Sequence, residues 1–480
     1  MASTMWGGPV VICAVALAGC GGGGGSCLFD CPGPKTYTLG GGVSGLAGSG
    51  LTLGNNNVAI ATISYSANGS YPAFSMGYPT GTAYDVTVLA QPTNPSQTCS
   101  VTNGVGTIDA ANVTNIGITC ATNPGQFVYV TNSGSNNISG YGFDAATGAL
   151  SPIAGTPFAA GALPSAIAVD PTGSFAYVTN RGDGTLSAYT IDSTTGALTP
   201  VAGSPYRIGV APSSVAVDPS STYVFATSST TATVSAFTID PSTGALTAVS
   251  GSPFPTGSGP SSVIVGPVEA GSDGNVFVAN QNGATVSLYS LDTTDGVLAL
   301  TSASPLAVGP GPRAVAMDAS NQYLYVANGT SSSVSAFYQV NNGGVFAAIS
   351  GSPYNSGGTP YALAVDSFDR YLFTANYASN NVSGYAINAQ TGALTPIAGS
   401  PFAAGDTPTS VAIDPAGNFV LVTNSGSGTV SAYAISATNG ALSPIGGSPY
   451  ASGALPSAVV ISSAPQGRLH SLGEAQFAYK

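Results

Sequence analysis

The chain has 480 residues, which is more than a single hydrophobic core usually organises, and it has a formal net charge of −12 with only 5% charged residues. Seven Lys plus Arg are too few for the basic surfaces that bind nucleic acid or anionic membranes. Gly and Pro are abundant, but 23 Tyr, 17 Phe and regular Val/Ile alternation indicate an all-β protein with many turns rather than a disordered one.

Residues 1–19 are typical of an export signal. The apolar run Pro9 to Ala18 is too short to span a bilayer and fits the apolar part of a signal peptide. It ends in Leu-Ala-Gly-Cys, which resembles the lipobox of bacterial lipoproteins and implies that Cys20 receives a lipid. The alternative is an ordinary secretory signal, since residues 1–8 contain no Lys or Arg. We therefore expect an exported protein of the bacterial cell envelope, anchored to the outer membrane or cell surface, or periplasmic.

Export permits disulfides. Beyond the signal peptide and the lipidated cysteine, four cysteines can pair in three ways: Cys27, Cys31, Cys99 and Cys120. We favour a disulfide between Cys99 and Cys120, because each flanks a strand-like run and turns between them bring the ends together. Cys27 and Cys31 lie in the Gly-rich tether at 20–34, where a local disulfide or free thiols are favoured because a metal site needs two more ligands.

Residues 35–122 form short segments of alternating apolar and polar side chains, separated by Asn-Gly, Pro and Gly clusters. This pattern predicts a small antiparallel β-sandwich. The segment resembles the immunoglobulin-like spacer modules that follow many lipoprotein signals. It contains no catalytic constellation, and we interpret it as a stalk.

A unit of about 48 residues is repeated seven times between residues 123 and 463. The residue that ends the first strand of each copy marks the repeat: Asn132, Asn180, Ser228, Asn280, Asn328, Asn376 and Asn424. A fixed period of this length indicates stacked supersecondary units.

Each copy contains four strand patterns. The third carries a Pro, as at Pro152 and Pro200, and is expected at the outer edge of its sheet because Pro cannot donate to a ladder. The fourth is built from small and β-branched residues, as expected of an inner strand near a central axis. The last copy ends in a lone inner strand at Ser457 to Ser462, which predicts that this strand completes the first blade of a closed seven-bladed β-propeller. The aperiodic tail at 464–480 is expected to be flexible.

Tyr129-Val130-Thr131-Asn132 resembles the YVTN-type propeller repeat of surface proteins. More widely, residues 123–463 resemble the lactonase family of seven-bladed propellers, whose best-known members hydrolyse 6-phosphogluconolactone. That resemblance implies a central pocket in which related propellers use His, Glu and Arg. Here the single His is His470, beyond the last strand, and the two Glu are Glu269 in an insertion and Glu474 in the tail. No His or Glu of the family pattern is therefore matched.

Strand direction assigns loops to two faces. The top face holds the loops that leave the first strand and enter the inner strand, with Arg181, Arg207 and Arg313 opposed by Asp183 and Asp406. The bottom face holds Arg370 and thirteen acidic residues: Asp144, Asp170, Asp192, Asp218, Asp240, Glu269, Asp273, Asp292, Asp295, Asp318, Asp366, Asp369 and Asp414.

Two interpretations remain open for each face. The three top-face Arg suit an anionic or polyhydroxyl ligand, whereas the alternative is that Arg181 pairs with Asp183 and the other two are solvated. The bottom carboxylates could hold Ca²⁺, but Asp-Pro-Thr-Gly at Asp170 to Gly173 is typical of a type I turn, and we favour turns. We predict no cofactor.

Two functions follow from these features. We favour a monomeric, non-catalytic propeller that binds an anionic ligand, a glycan or an envelope protein on its top face and meets the membrane only through its lipid. The alternative is a lactone hydrolase in which Asp183 or Asp406 acts as general base. Fold alone does not decide between them.

The lipobox interpretation predicts the behaviour of a Cys20→Ala variant. Removing the acceptor thiol prevents lipidation, so the variant moves from the membrane fraction to the soluble exported fraction, as measured by fractionation and immunoblotting. Retention of the variant in the membrane at the level of the parent would contradict the anchor.

Overall fold

The structure is a computed structural model in which the described residues are 35–46, 50–63, 74–92, 97–122, 125–266, 274–340 and 344–462. Outside them lie the expected signal peptide and tether with Cys20, Cys27 and Cys31, the expected tail with His470 and Glu474, and the insertion with Glu269 and Asp273. The chain divides into two compact units, Met1–Ala121 and Thr122–Lys480. Within the described ranges, no helix is long and apolar enough to cross a membrane.

The first unit contains two four-stranded sheets, β4-β1-β8-β6 and β3-β2-β5-β7. The strands are β1 (Thr36–Ser44), β2 (Leu51–Asn55), β3 (Val58–Ile63), β4 (Phe74–Pro79), β5 (Ala83–Ala90), β6 (Gln97–Thr102), β7 (Val105–Thr107) and β8 (Val113–Thr122). Leu39, Leu51 and Ile116 are fully buried in its core. The sandwich is not wholly antiparallel as expected, because the first strand β1 pairs in parallel with the last strand β8. The favoured disulfide, Cys99–Cys120, is present.

The second unit is built from seven blades, and the strand of each blade that ends at the repeat marker is called its first strand. These strands are β9 (Gln126–Asn132), β14 (Phe175–Asn180), β19 (Tyr223–Ser228), β24 (Gly274–Asn280), β29 (Tyr323–Asn328), β34 (Tyr371–Asn376) and β39 (Phe419–Asn424), and they define blades 1 to 7. The second strands are β10 (Asn137–Phe143), β15 (Thr185–Ile191), β20 (Thr233–Ile239), β25 (Thr285–Leu291), β30 (Ser333–Val340), β35 (Asn381–Ile387) and β40 (Thr429–Ile435).

The outer strand of each blade is interrupted and both of its parts pair with the second strand. The longer parts are β11 (Leu150–Pro152), β16 (Leu198–Pro200), β21 (Leu246–Ala248), β26 (Leu298–Leu300), β31 (Val345–Ala348), β36 (Leu394–Pro396) and β41 (Leu442–Pro444). The two-residue parts are β12 (Phe158–Ala159), β17 (Tyr206–Arg207), β22 (Phe254–Pro255), β27 (Leu306–Ala307), β32 (Tyr354–Asn355), β37 (Phe402–Ala403) and β42 (Tyr450–Ala451). The Pro-bearing strand is thus at the edge, as predicted, and a turn through a Gly such as Gly203 (φ 87°) divides it.

The inner strands are β13 (Pro164–Val169), β18 (Pro212–Val217), β23 (Pro260–Val265), β28 (Pro312–Met317), β33 (Pro360–Val365), β38 (Pro408–Ile413) and β43 (Pro456–Ile461). Six of them precede the first strand of their own blade in sequence, and β43 pairs with β9 of blade 1, with Val459 opposite Val130. The predicted all-β fold, with a seven-bladed propeller closed by its last strand after a small β-sandwich, is confirmed.

The first strands are buried along nearly their whole length because a neighbouring blade packs against each face. The phenols of Tyr129 and Tyr177 extend to the next blade and donate to the carbonyls of Gly196 and Gly244, at 2.7 and 3.2 Å. Burial raises the pKa of both phenols above the ordinary value for tyrosine. They therefore stay protonated in the folded state and act as hydrogen-bond donors between blades.

Ring closure predicts the effect of truncation. A chain that ends before Pro456 loses β43. This exposes one edge of β9 and the apolar side chains that pack against Val459. The free energy of unfolding therefore falls by roughly 4 kcal/mol or more. Thermal unfolding followed by circular dichroism measures this change. A chain that ends after Ser462 is the matched control, since Ser462 Oγ still accepts a hydrogen bond from Phe127 N. Equal midpoints for the two truncations would contradict the closure.

Candidate functional site

Nine of the eleven described bottom-face carboxylates fall into a buried and an exposed set, and the other two are Asp295, in the same turn as Asp292, and Asp369. The buried set follows the inner strands and consists of Asp170, Asp218, Asp318, Asp366 and Asp414, each only 1–2% exposed. In Asp218, Oδ1 accepts hydrogen bonds from the amides of Thr222 and Tyr223 at 2.7 and 2.5 Å. The other four make the same pair of bonds four and five residues on. These carboxylates shape turns, which is the interpretation favoured from the sequence.

The exposed set follows the second strands of blades 1 to 4 and consists of Asp144, Asp192, Asp240 and Asp292. Hydrogen bonds from the hydroxyl and amide of Ser242 lower the pKa of Asp240 to about 2. In the described ranges, no group of three or more His, Cys, Asp or Glu side chains is arranged to hold a metal ion. The bottom face is therefore an acidic surface whose carboxylates bond mainly to their own turns, whereas Asp369 accepts bonds from the amides of Ala319 and Ser320 in the neighbouring blade.

The repeat-marker Asn is a structural residue rather than a ligand group. Asn180 is fully buried, and its Nδ2 donates to Thr185 Oγ1 and Ser187 Oγ at 3.0 and 2.8 Å. Its Oδ1 accepts a bond from the Gly161 amide at 3.1 Å. The Asn thereby joins the first strand, the second strand and a top loop, and it holds the residue that follows it at the top of the blade.

A central cavity of about 430 Å³ opens at this top end, within the usual size range of ligand sites. Each blade contributes the residue that follows the first Pro of its inner strand: Ser165, Ser213, Ser261, Arg313, Tyr361, Thr409 and Ser457. Six blades also contribute the residue that follows the repeat marker: Ser133, Arg181, Ser229, Gln281, Tyr377 and Ser425. The cavity is therefore lined by equivalent positions of the repeat, and the side chains at those positions decide its chemistry.

Five hydroxyls of the inner positions form a belt that joins neighbouring blades. Each donates to the carbonyl of the first Pro of the next inner strand, at 2.7–2.9 Å: Ser165 to Pro212, Ser213 to Pro260, Ser261 to Pro312, Thr409 to Pro456 and Ser457 to Pro164. We call this set the hydroxyl belt. It is continuous except in blades 5 and 6, where Arg313 and Tyr361 take the place of the hydroxyl residue.

Where the belt is interrupted, Arg313, Tyr361 and Tyr377 form a stacked cluster. The guanidinium carbon of Arg313 lies 4.8 Å from the ring centroid of Tyr361, in cation–π contact. The Tyr361 ring in turn lies 5.6 Å from the Tyr377 ring, with 31° between their planes. Tyr377 is 38% exposed. One wall of the cavity is therefore cationic and aromatic, whereas most of the rest is lined by small hydroxyl residues.

Other departures from the repeat make room for this cluster. A Cβ at Gly329, the residue after the blade 5 marker, would lie only 3.0 Å from Arg313 Cγ. In four blades a first-strand Thr contacts the belt, as in the 2.9 Å bond between Thr179 and Ser165, but blades 4, 5 and 6 have Ala279, Ala327 and Ala375 there. Smaller side chains thus accompany the larger ones at the interruption.

Only some of the top-face Arg and Asp residues singled out from the sequence line the central cavity. Arg181 and Arg313 line the central cavity, whereas Arg207 lines an adjoining groove of about 280 Å³ together with Arg181 and Asp183. Asp183 and Asp406 do not line the central cavity. Asp183 Oδ2 accepts a bond from the Ala162 amide at 2.6 Å, and Asp406 Oδ1 accepts one from Asn380 at 3.4 Å.

The alternative pairing of Arg181 with Asp183 is absent. Over the described ranges, the only ion pair joins Arg370 Nε to Asp366 Oδ2 at 2.7 Å, on the bottom face. Arg181 is therefore exposed at the cavity without a carboxylate partner in the described structure.

Tyr361 and Tyr377 were not recognised from the sequence, although alignment of the seven copies shows aromatic residues at positions otherwise filled mostly by Ser. Together with Arg181 and Arg313, they supply cationic and phenolic donors around hydroxyl groups. Such a lining suits an oxygen-rich ligand with a negative charge or a polarised carbonyl. The described lining contains no carboxylate or imidazole group.

Comparisons with known proteins bear on this site. A family model described as "Lactonase, 7-bladed beta-propeller" matches residues 119–264 and 272–460. A comparison with curated proteins gives no match.

Several solved structures have a similar fold. A Pseudomonas aeruginosa protein described as a periplasmic gluconolactonase is 19% identical, with a TM-score of 0.59 over 71% of this chain and 99% of its own. A Bacteroides uniformis protein described as a candidate 6-phosphogluconolactonase is 18% identical, with a TM-score of 0.61 over 71% of this chain and 100% of its own. A Lactobacillus plantarum protein is 21% identical, with a TM-score of 0.58 over 71% and 100%. At these identities the similarity shows the fold alone.

The turn role of the buried Asp predicts a contrast between two substitutions. Asp218→Ala leaves the amides of Thr222 and Tyr223 without an acceptor and lowers the free energy of unfolding by roughly 2–4 kcal/mol, whereas Asp240→Ala, at an exposed turn, leaves it close to the parental value. Chemical denaturation measures both. EDTA leaves the wild-type midpoint unchanged, and a midpoint that falls on chelation would instead support calcium at this face.

Proposed function

Because the chain belongs to the lactonase family of seven-bladed β-propellers, we propose that it binds a sugar lactone in its central cavity and hydrolyses it. This is the alternative function considered from the sequence, and the family match favours it over a purely binding role. The observation that carries the proposal is the interruption of the hydroxyl belt by Arg313 and Tyr361, since it places a cation and phenols at one wall of a cavity otherwise lined by small hydroxyls.

The reaction requires little beyond positioning and charge stabilisation. Water attacks the lactone carbonyl carbon, the carbonyl oxygen becomes an oxyanion, and the ring C–O bond then breaks as its oxygen gains a proton. A guanidinium from Arg313 or Arg181 stabilises the oxyanion, as fixed donors do in acyl transfer. The exposed ring of Tyr377 offers a stacking surface for the sugar. The proton of the attacking water passes to solvent, since no carboxylate or imidazole lines the described cavity.

The proposed location is outside the cytoplasm. The export signal and the lipobox at Cys20 support it, and so does the buried disulfide Cys99–Cys120, because disulfides persist in oxidising compartments. The Pseudomonas aeruginosa structure is itself described as periplasmic. A sugar-phosphate lactone is a cytoplasmic metabolite, so we propose an unphosphorylated aldonolactone as substrate, for a monomer anchored by its lipid.

A second candidate is non-catalytic binding of the same chemical class. The absence of a carboxylate or imidazole from the described lining favours it, since water then has no side-chain base. In that case the cavity holds a sugar acid or an acidic glycan through Arg181 and Arg313. The two functions share a site and differ only in turnover.

Hydrolysis of δ-gluconolactone by the purified protein, followed in a pH-stat, separates the two. We expect a rate above buffer that falls by about 10²-fold in Arg313→Ser, because one oxyanion donor is lost. Serine is the residue of the repeat at that position, so the substitution extends the belt and the melting temperature is retained. Arg207→Ser, outside the central cavity, is the matched control and keeps the parental rate.

Titration calorimetry with gluconate tests the second candidate, non-catalytic binding of a sugar acid. A wild-type rate equal to buffer, with gluconate binding that Arg313→Ser abolishes, would establish binding without catalysis. A wild-type protein that neither hydrolyses the lactone nor binds gluconate would contradict both functions.

A further inference from the structure

The cavity mouth has a second specialised wall, formed by the residue that precedes the first Pro of each inner strand. All seven are in the left-handed region, with φ between 48° and 70°: Leu163, Ala211, Gly259, Gly311, Thr359, Thr407 and Leu455. In each blade the carbonyl of this residue accepts a bond from the amide that follows the repeat marker, as from Arg181 N to Leu163 O at 3.0 Å. The conformation is therefore imposed by the loop in every blade.

Glycine is the residue that adopts this conformation at no steric cost, and blades 4 and 5 have it. Blades 1 and 2 instead have Leu455 and Leu163, whose side chains are 51% and 49% exposed. A leucine at such a position destabilises the fold, because its Cβ disfavours the left-handed backbone conformation. Since about half of its side chain stays exposed, burial offsets little of this cost. Contacts within the protein therefore do not explain why leucine occupies these two positions.

The two leucines belong to one apolar sector. Leu455 and Leu163 occupy equivalent positions in neighbouring blades, and Ser457 of one inner strand donates to Pro164 of the next. In blade 3 the adjacent Val210 is 61% exposed. Leu163 lines the central cavity, and Val210 lines the groove that shares Arg181 with it. The sector thus continues from the cavity along the rim of blades 1 to 3.

This sector lies across the central axis from the stacked cluster of Arg313, Tyr361 and Tyr377, because blades 5 and 6 face blades 1 to 3 in a ring of seven. The equivalent rim positions near the cluster have no side chain, as at Gly311 in blade 5, or a polar one, as at Thr359 in blade 6. The mouth therefore has an aromatic side that carries Arg313, and an opposite side on which the aliphatic residues lie beside Arg181 of blade 2.

We propose that the ligand of this cavity carries an aliphatic chain, which lies on Leu163, Leu455 and Val210 while its carboxylate or lactone head meets Arg313 and Tyr361. This inference rests on the proposed function only for the lactone or carboxylate head group, and it departs from the aldonolactone of that proposal by placing an alkyl chain on the rest of the molecule. An alkyl-substituted lactone, or the hydroxy acid that it yields, fits both walls. A small polyhydroxylated lactone uses only one.

Two series of probes test the chain and the head group separately. Binding of butanoate, hexanoate and octanoate to the full-length protein is measured by titration calorimetry, and requires no hydrolysis. We expect the affinity to rise about two- to four-fold for each added methylene that contacts the apolar sector. Hydrolysis of δ-hexalactone and δ-decalactone is compared in the pH-stat, and we expect the longer lactone to have the lower KM.

The variant Leu163→Gly/Leu455→Gly removes the proposed chain contacts and relieves the backbone conformation. It is expected to melt at or above the parental temperature, while the dependence of affinity on chain length disappears and octanoate binds at least ten-fold more weakly. Thr359→Gly makes the equivalent change on the opposite side of the mouth and keeps the parental dependence.

The outcomes distinguish this inference from the proposed function. If δ-gluconolactone is hydrolysed but chain length has no effect on wild-type affinity, the inference is wrong and the function stands. If affinity rises with chain length but no lactone is hydrolysed, the function is wrong and the inference stands. A double glycine variant that retains the chain-length dependence, or that melts well below the parent, would overturn the inference, because the leucines would then not contact the chain or would be structural.

Discussion

The propeller depends on the pairing of its last strand with its first. β43 completes the blade that β9 begins, so every inner strand lies between two neighbours around one axis. Closure fixes the distance of each inner strand from that axis, and this in turn allows a side chain of one blade to reach the carbonyl of the next. The hydroxyl belt is a consequence of this spacing, since a hydroxyl on a short side chain spans the gap between adjacent inner strands at 2.7–2.9 Å.

The site arises where the repeat is not followed. A ring of seven identical blades would present seven identical hydroxyls and no preferred direction for a ligand. Arg313 and Tyr361 break that equivalence on one side, with Ala327 and Gly329 leaving space beside them. Leu163 and Leu455 break it on the other side, in a backbone conformation that the loop imposes on all blades. The frame is therefore set by what the copies share, and the chemistry by the few positions where they differ.

This division also explains why the family match and the chemistry of the cavity depend on different residues. Membership of the lactonase family is shown by a match over residues 119–264 and 272–460, which span all seven blades. The described cavity lining contains two Arg and two Tyr but no carboxylate or imidazole. A lactone suits that lining because its hydrolysis needs chiefly a stabilised oxyanion, whereas reactions that need a strong side-chain base do not.

The sequence by itself determined the all-β class, the number of blades, the edge position of the Pro-bearing strand and the closing role of the last strand, because a 48-residue period and the missing amide of Pro are properties of the chain alone. It also favoured the correct cysteine pair. Only the tertiary structure decided which top-face residues share a cavity. Arg181 and Arg313 do, Arg207 lies in the adjoining groove, and Asp183 bonds to a backbone amide. Blades distant in sequence meet only at the axis, so contacts such as Arg313 with Tyr361 and Tyr361 with Tyr377 depend on the radius and rotation of the ring, which no local pattern specifies.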